Sequence, residues 1–229
     1  MLDLNSIEYL QTVEGLEALY GDAAPASLRK VVDRLTPKYW HWISSSRFCV
    51  LTTVGPAGTD GSPRGDDGPT VIALDEYTLA MPNWRGNNRL DSLRNIVEDG
   101  RVSLLFLIGG ENFTVRVNGV ARLSADDKLL GLFEKDGHIP KTVIVIKVVE
   151  IYSQCSLALM RSGLWSQTRP ADLPTAGDLL KEASHGDLGG LKYDSDQAKR
   201  SQNTLWSDRY AGTKTNQLFW RNHLAGAGG

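Results

Sequence analysis

Apolar residues recur at helical spacing near the start of the chain. Between Asn5 and Ser46, Val13, Leu16, Leu19 and Tyr20 share one face, and Leu28, Val31, Val32 and Leu35 share another. This is the 3.6-residue period of amphipathic helices. Thr36-Pro37 predicts an N-cap followed by proline in the first helical turn, opening a short aromatic helix with Tyr39, Trp40 and Trp42. After Ser44-Ser45-Ser46 the pattern changes. Arg47–Val54 is β-branched and aromatic and stops at Gly55-Pro56-Ala57-Gly58, so a strand and a turn are expected. Thr70–Leu74 and Thr78–Met81 flank Asp75-Glu76-Tyr77 as a hairpin, and Asn88–Glu98 places Leu90, Leu93, Ile96 and Val97 on one helical face. Arg101–Ile108, Phe113–Leu123 and Thr142–Tyr152 are further strands, with a helix expected at Ala125–Lys135.

Roughly six strands of mostly hairpin type, interrupted by single helices, predict a mainly β fold with flanking helices (α+β), built as a small closed or nearly closed barrel. The expected division is a helical N-terminal segment (1–46), a barrel domain (47–166) and a C-terminal extension (167–229). Past the last barrel strand, Cys155–Leu164 and Thr175–Ser184 are expected helices on either side of the proline-bearing Thr168–Pro174. Tyr193–Tyr210 is polar with Trp206 as its anchor, and the end from Gly226 is expected to be loose.

Composition narrows the function more than the fold. The chain has 229 residues, 25 Lys+Arg against 27 Asp+Glu and a net charge of -2, a balance that argues against a nucleic-acid partner. Its apolar runs are strand-sized, so no membrane span is expected. The start carries no basic, apolar leader pattern, which makes a cytoplasmic location the expectation. Cys49 and Cys155 lack metal or redox spacing and read as two buried thiols. Four scattered histidines give no metal site, and Asp60–Gly68 fails as a calcium loop because Arg64 takes a ligand position and Val71 the place of the bidentate acid.

Two segments carry candidate chemistry. Met81–Ile96 runs from a strand end through a polar turn into an amphipathic helix; with Asn87 or Asn88 as N-cap, free backbone N–H groups would meet Arg85 and Arg89. Such a place suits a phosphate monoester, because the helix dipole and the planar guanidinium fork both favour it. The bland alternative is a capped helix with solvated arginines. The second segment, Ser62-Pro-Arg-Gly-Asp-Asp, lies between the first two expected barrel strands, where Arg64 adds charge and Gly65 permits close approach of a flat ligand. Its alternative is a polar hairpin loop. Two anion-friendly elements on adjacent strands favour one nucleotide-like ligand.

The motifs SPRGD, WRGNNRLDSLRNI, RVSLLFLI, FTVRVNGVARLS and IYSQCSLALMRSGLW, in this order, resemble the pyridoxamine 5'-phosphate oxidase-like FMN-binding proteins with a split β-barrel. The likeness is to an uncharacterised bacterial subgroup and extends over roughly residues 15–185, leaving Asp187–Gly229 outside it. The resemblance implies a homodimer with two FMN sites at the subunit interface. It implies that Arg64, Gly65 and Asp66 line the flavin along one strand, with Arg64 reaching the phosphate. Pro82 and Asn83 would lie near the isoalloxazine, and Asn88 and Arg89 would hold the phosphate, with Arg85 compensating for the basic residue usual at the position of Asn88. Thr114 would face the ribityl chain, and Arg161 and Trp165 would come from the other subunit.

The acids of SPRGDD stand where a vitamin B6 oxidase has a basic, apolar strand, which argues against phosphorylated vitamin B6 as substrate. The expected function is therefore an FMN-dependent oxidoreductase on an unidentified small substrate, the alternative a non-catalytic flavin-binding, storage or redox-sensing module. Haem is disfavoured because no histidine falls in the site, and a deazaflavin because its acidic tail wants more basic residues. No obvious general base is present; Asp66 and Asp67 could serve, but a loop carboxylate needs burial to act as one.

Overall fold

The computed structural model describes residues 2–204 and 209–210. Its helices are α1 (Val13–Tyr20), α2 (Pro25–Arg29), α3 (Pro37–Ser44), α4 (Asp91–Glu98), α5 (Asp127–Gly131), α6 (Leu157–Ser162), α7 (Ala176–Ala183) and α8 (Gly190–Thr204), with single 3-10 turns at Leu4–Ser6 and Leu164–Ser166. The strands are β1 (Phe48–Gly55), β2 (Gly58–Gly65), β3 (Ile72–Asp75), β4 (Thr78–Asn83), β5 (Arg101–Leu107), β6 (Thr114–Ser124), β7 (His138–Ile139), β8 (Thr142–Gln154) and β9 (Arg209–Tyr210). Seven of them form one antiparallel sheet in the order β2-β1-β5-β6-β8-β4-β3, and β7 pairs with β9.

The sheet curls on itself. Five inter-strand spacings separate β2 from β4 in the sheet order, about 24 Å if the sheet were flat. Instead Arg64 Nη1 on β2 donates to Asn83 Oδ1 on β4 at 2.8 Å. The curl encloses one core, in which Cys49 and Leu51 of β1, Leu79 and Met81 of β4, Phe106 of β5 and Ile144 and Ile146 of β8 are buried together. Alternation along β4 and β8 turns Ala80 and Val143 to the opposite face, where they pack with Leu130 and Ile139 in a second cluster. A bulge between Asn118 and Gly119 helps the bend. A Cβ at Gly119 would lie 2.4 Å from the Lys147 carbonyl oxygen, so glycine is required there.

Two devices aim the elements around the site. Thr36 accepts from the Tyr39 N–H at 3.4 Å with Pro37 in the first turn, as the sequence predicts, and α3 then sends Ile43 into the core. On α4, Ile96 enters the same core while buried Asn95 Nδ2 donates to Thr53 Oγ1 of β1 at 3.0 Å. Gly55 makes room for that side chain, since a Cβ there would lie 2.3 Å from Asn95 Oδ1. Gly55→Ala would therefore push α4 off β1.

The structure differs from the sequence-based expectations in several places. Gly58–Gly65 is a full strand, paired with β1 from Gly55↔Gly58 to Phe48↔Gly65, so Ser62–Gly65 lies within a strand rather than between two strands and not in the polar hairpin loop of the alternative reading. Its polarity reflects its place at the sheet edge, with one strand neighbour and every residue exposed or half-buried. The helix expected from Asn88 starts at Asp91, and its N-cap is Leu90 with no side-chain cap. Asn88 and Leu90 both have left-handed backbone, φ 61° and 64°, which the helical period could not reveal. The helix expected to reach Lys135 stops at Gly131. Asp136-Gly137 then makes a tight turn with φ of 49° and 81°, closed by Lys135 and His138 exchanging N–H···O bonds of 2.8 Å, the geometry of a type I′ hairpin turn.

Cys49 is buried as expected but Cys155 is exposed, because it lies just past the end of β8. Burial pushes the Cys49 thiol up to about 12, against the Thr70 hydroxyl and the Arg64 charge, which favour the thiolate. Of the expected polar tail, Tyr193–Thr204 belongs to α8. Trp206, Phe219, Trp220 and the end from Gly226 lie outside the described residues. Among the described residues no helix is long and apolar enough to cross a membrane.

Candidate functional site

A cavity of about 950 Å³ opens where the two ends of the curled sheet meet. One wall is β2 from Asp60 onward, continuing through Asp66. The other is the end of β4 with the turn 84–90, and Ser92 of α4 together with Lys141 and Thr142 at the start of β8 completes the lining. Register explains the last pair: Thr142 sits opposite Asn83 in the β4–β8 ladder. Asp60 accepts from the Ser92 hydroxyl and so ties β2 to α4.

On the first wall, the strand alternation leaves Pro63 and Gly65 exposed and half-buries Arg64. Burial lowers the Arg64 pKa from the ordinary arginine value, opposed by Cys49 and Asp60; guanidinium still stays charged at neutral pH. Beyond its bond to Asn83, Arg64 leaves Nε buried without a hydrogen-bond partner, and Thr142 Oγ1 is in the same condition. Thr70 Oγ1 is also buried without a conventional hydrogen bond, with the Cys49 thiol beside it. Buried polar atoms left unpaired are uncommon. Arg64 Nε, Thr142 Oγ1 and Thr70 Oγ1 belong to residues that line this one cavity, which fits a polar ligand there.

Asp66 behaves otherwise. Its carboxylate is nearly enclosed and accepts from Lys135 Nζ, from Trp84 Nε1 at 3.0 Å and from the Gly68 N–H at 3.3 Å. Asp67 is exposed and also pairs with Lys135, a hydrogen bond that lowers its pKa. Burial pulls the Lys135 pKa down, but the hydrogen bonds and charges of both carboxylates outweigh it and hold the lysine above its usual value.

The second wall is more open. Arg85, Asn88 and Arg89 are exposed. Asn87 Oδ1 accepts from the Arg89 N–H at 3.1 Å, folding the turn locally, and Arg89 Nε donates to Asp91 Oδ2 at 2.8 Å. The arginines thus stand one turn ahead of the helix rather than over capped N–H groups.

Of the residues singled out in the sequence, Arg64, Gly65, Asp66, Pro82, Asn83, Arg85, Asn88 and Arg89 line this cavity. Thr114, Arg161 and Trp165 do not: Thr114 is buried on β6 opposite Gln154, Arg161 is exposed on α6, and the Trp165 indole donates to the Glu111 carbonyl at 2.9 Å. Sequence reasoning missed Asp60, Thr70, Ser92, Lys141 and Thr142, which are gathered by long-range pairing and carry no local signature. It also passed over Trp84, which lies inside the WRGNNR motif, and Lys135, whose one signal was the Asp-Gly turn after it.

The pyridoxamine 5'-phosphate oxidase family profile matches residues 35–155, more than half of the chain and every residue of the cavity lining. The chain belongs to that family, a flavin-binding family of oxidoreductase type. No curated protein matches it. Among solved structures it is similar to a putative pyridoxamine 5'-phosphate oxidase from Lactobacillus delbrueckii, at 20% identity over 53% of this chain and 95% of that one, TM-score 0.43. HupZ from Group A Streptococcus is 17% identical over 52% and 93%, TM-score 0.43. An FAD binding protein from Mycobacterium smegmatis is 15% identical over 54% and 97%, TM-score 0.37.

Proposed function

We propose that the chain is an FMN-dependent oxidoreductase acting on an unidentified small substrate, and that it works as a homodimer with FMN at the subunit interface. The observation that carries this reading is the convergence of Arg64, Asn83 and Arg89 on one cavity that also holds the unpartnered Arg64 Nε and Thr142 Oγ1. The donors suit FMN: Arg64 and Arg89 offer guanidinium forks to a phosphate, and Gly65 and Pro82 leave backbone rather than bulky side chains toward a flat ring. FMN when bound supplies hydride or electron transfer at its ring. The protein's part is to bind, to orient and to exclude water. About 950 Å³ is at the upper end of small-molecule sites and leaves room for a second reactant.

Dimerisation is supported by apolar surface that a single chain leaves open, including Phe113, Leu157, Met160 and Trp165. In the dimer Arg161 and Trp165 reach the partner's site, and Thr114 faces the ribityl chain. The chain divides into the helical segment 1–46, the flavin domain 47–166 and the extension 167–229. One feature favours the non-catalytic alternative, a flavin-storage or redox-sensing module: both candidate bases, Asp66 and Asp67, are engaged with Lys135.

The test is to incubate the purified protein with excess FMN, remove free ligand, and record the visible spectrum and the mass. One retained flavin per chain in a dimer supports the cofactor assignment, and bleaching by NADH or NADPH favours the enzyme over storage. A colourless protein with no FMN affinity refutes it.

A further inference from the structure

The group of Lys135, Asp66 and Trp84 is not explained by ligand binding, since Asp66 spends its carboxylate on protein donors. Trp84 is the aromatic residue among the lining residues of the cavity, and its half-buried indole is held through Nε1. Behind it the chain of support is rigid. The Asp136-Gly137 turn is closed by two 2.8 Å backbone bonds and braced by Glu134 Oε1, which accepts from the Gly137 N–H at 2.7 Å. That turn presents Lys135 to Asp66, whose side chain is 9% exposed. A carboxylate so enclosed needs its cation, and a carboxylate so held fixes the indole N–H.

We propose that Trp84 is an aromatic wall for the ring of the bound flavin, with Lys135 a positioning residue that acts on it through Asp66. This rests on the flavin reading above. On this assignment Asp66 is a support for the wall rather than a ligand of the cofactor, and the I′ turn is part of the site although it touches none of the cavity.

The test uses the full-length protein with FMN as the probe, and follows dissociation constant, emission of the bound flavin and visible circular dichroism. An indole beside an excited flavin quenches it by electron transfer, so wild-type FMN should be weakly emissive and Trp84→Leu should raise bound emission several-fold. Lys135→Met should raise it at least twofold and alter the circular dichroism band, with Lys135→Arg restoring both. In the Trp84→Leu background Lys135→Met should add nothing, because both act through one chain. A folded Lys135→Met protein with wild-type emission and dichroism overturns the proposal, and so does a variant that only binds FMN more weakly. Should Lys135→Met not fold, Trp84→Phe carries the test: it removes the indole and its N–H, and wild-type emission there rejects the aromatic wall and with it the positioning. Absence of FMN binding by the wild type removes the flavin reading and this proposal together, whereas normal binding with unchanged spectra removes only the proposal.

Discussion

The two walls of the cavity are built on opposite plans. On β2, Arg64 is half-buried, bonded across to Asn83 and short of one partner, and the strand continues into an Asp66 that is nearly enclosed. On the turn 84–90, the cationic side chains are exposed, Arg89 is spent on Asp91, and Asn88 and Leu90 adopt left-handed backbone. Charges in the first wall act at lower dielectric, while those in the second are exposed and screened by solvent. The contrast suits a ligand with one part held in a desolvated site and another part left hydrated.

Breaking the first wall should have the largest effect. Arg64→Ala removes charge-assisted contacts of about 1.5–3 kcal/mol and should weaken FMN binding by about a hundredfold, read by fluorescence titration. The loss should persist at high salt because the site is shielded. Arg89→Ala should cost about tenfold at low ionic strength and much less in about 0.5 M salt. Equal salt dependence in the two variants would erase the distinction between the walls. A smaller effect of opposite sign is expected from Asp91→Asn, which releases Arg89 and removes a nearby negative charge; affinity should rise about two- to threefold in the same titration. Smallest of all is Leu90→Gly. Relief of a left-handed leucine, about 1 kcal/mol, is offset by the greater freedom of glycine in the unfolded chain, so urea melts should move by no more than about 0.5 kcal/mol. A loss above about 2 kcal/mol would show that the turn is as rigid a wall as β2.

The same contrast decides what could be read from the sequence. Strands β1, β5, β6 and β8 were legible because each buries at least one face and so alternates or runs apolar, and α3 because Thr36-Pro37 marks its start. The polar β2 was not, since its pairing is with backbone and its side chains face water or the cavity. Arg64, Asn83 and Arg89 were found from local chemistry and family likeness. Thr142 and Lys141 were not, because only the β4–β8 register carries them to the site. The start of α4 was misplaced by three residues for a backbone reason: two left-handed residues hold the chain out of the helix that their apolar spacing invites.

The outermost position of β2 has a further consequence, for the behaviour of the protein in a crowded solution. An edge strand offers unpaired N–H and C=O groups to any other chain, and a flat apolar edge is a seed for aggregation. Here the edge contains Pro63, which removes a donor, and alternates Asp60, Ser62 and Arg64 along one face with glycines Gly61 and Gly65 on the other. Such a strand is a poor template for a seventh-to-first extension by a neighbouring molecule. The polar residues that line the cavity thus also guard the edge of the sheet, and replacing them with β-formers would trade solubility for rigidity.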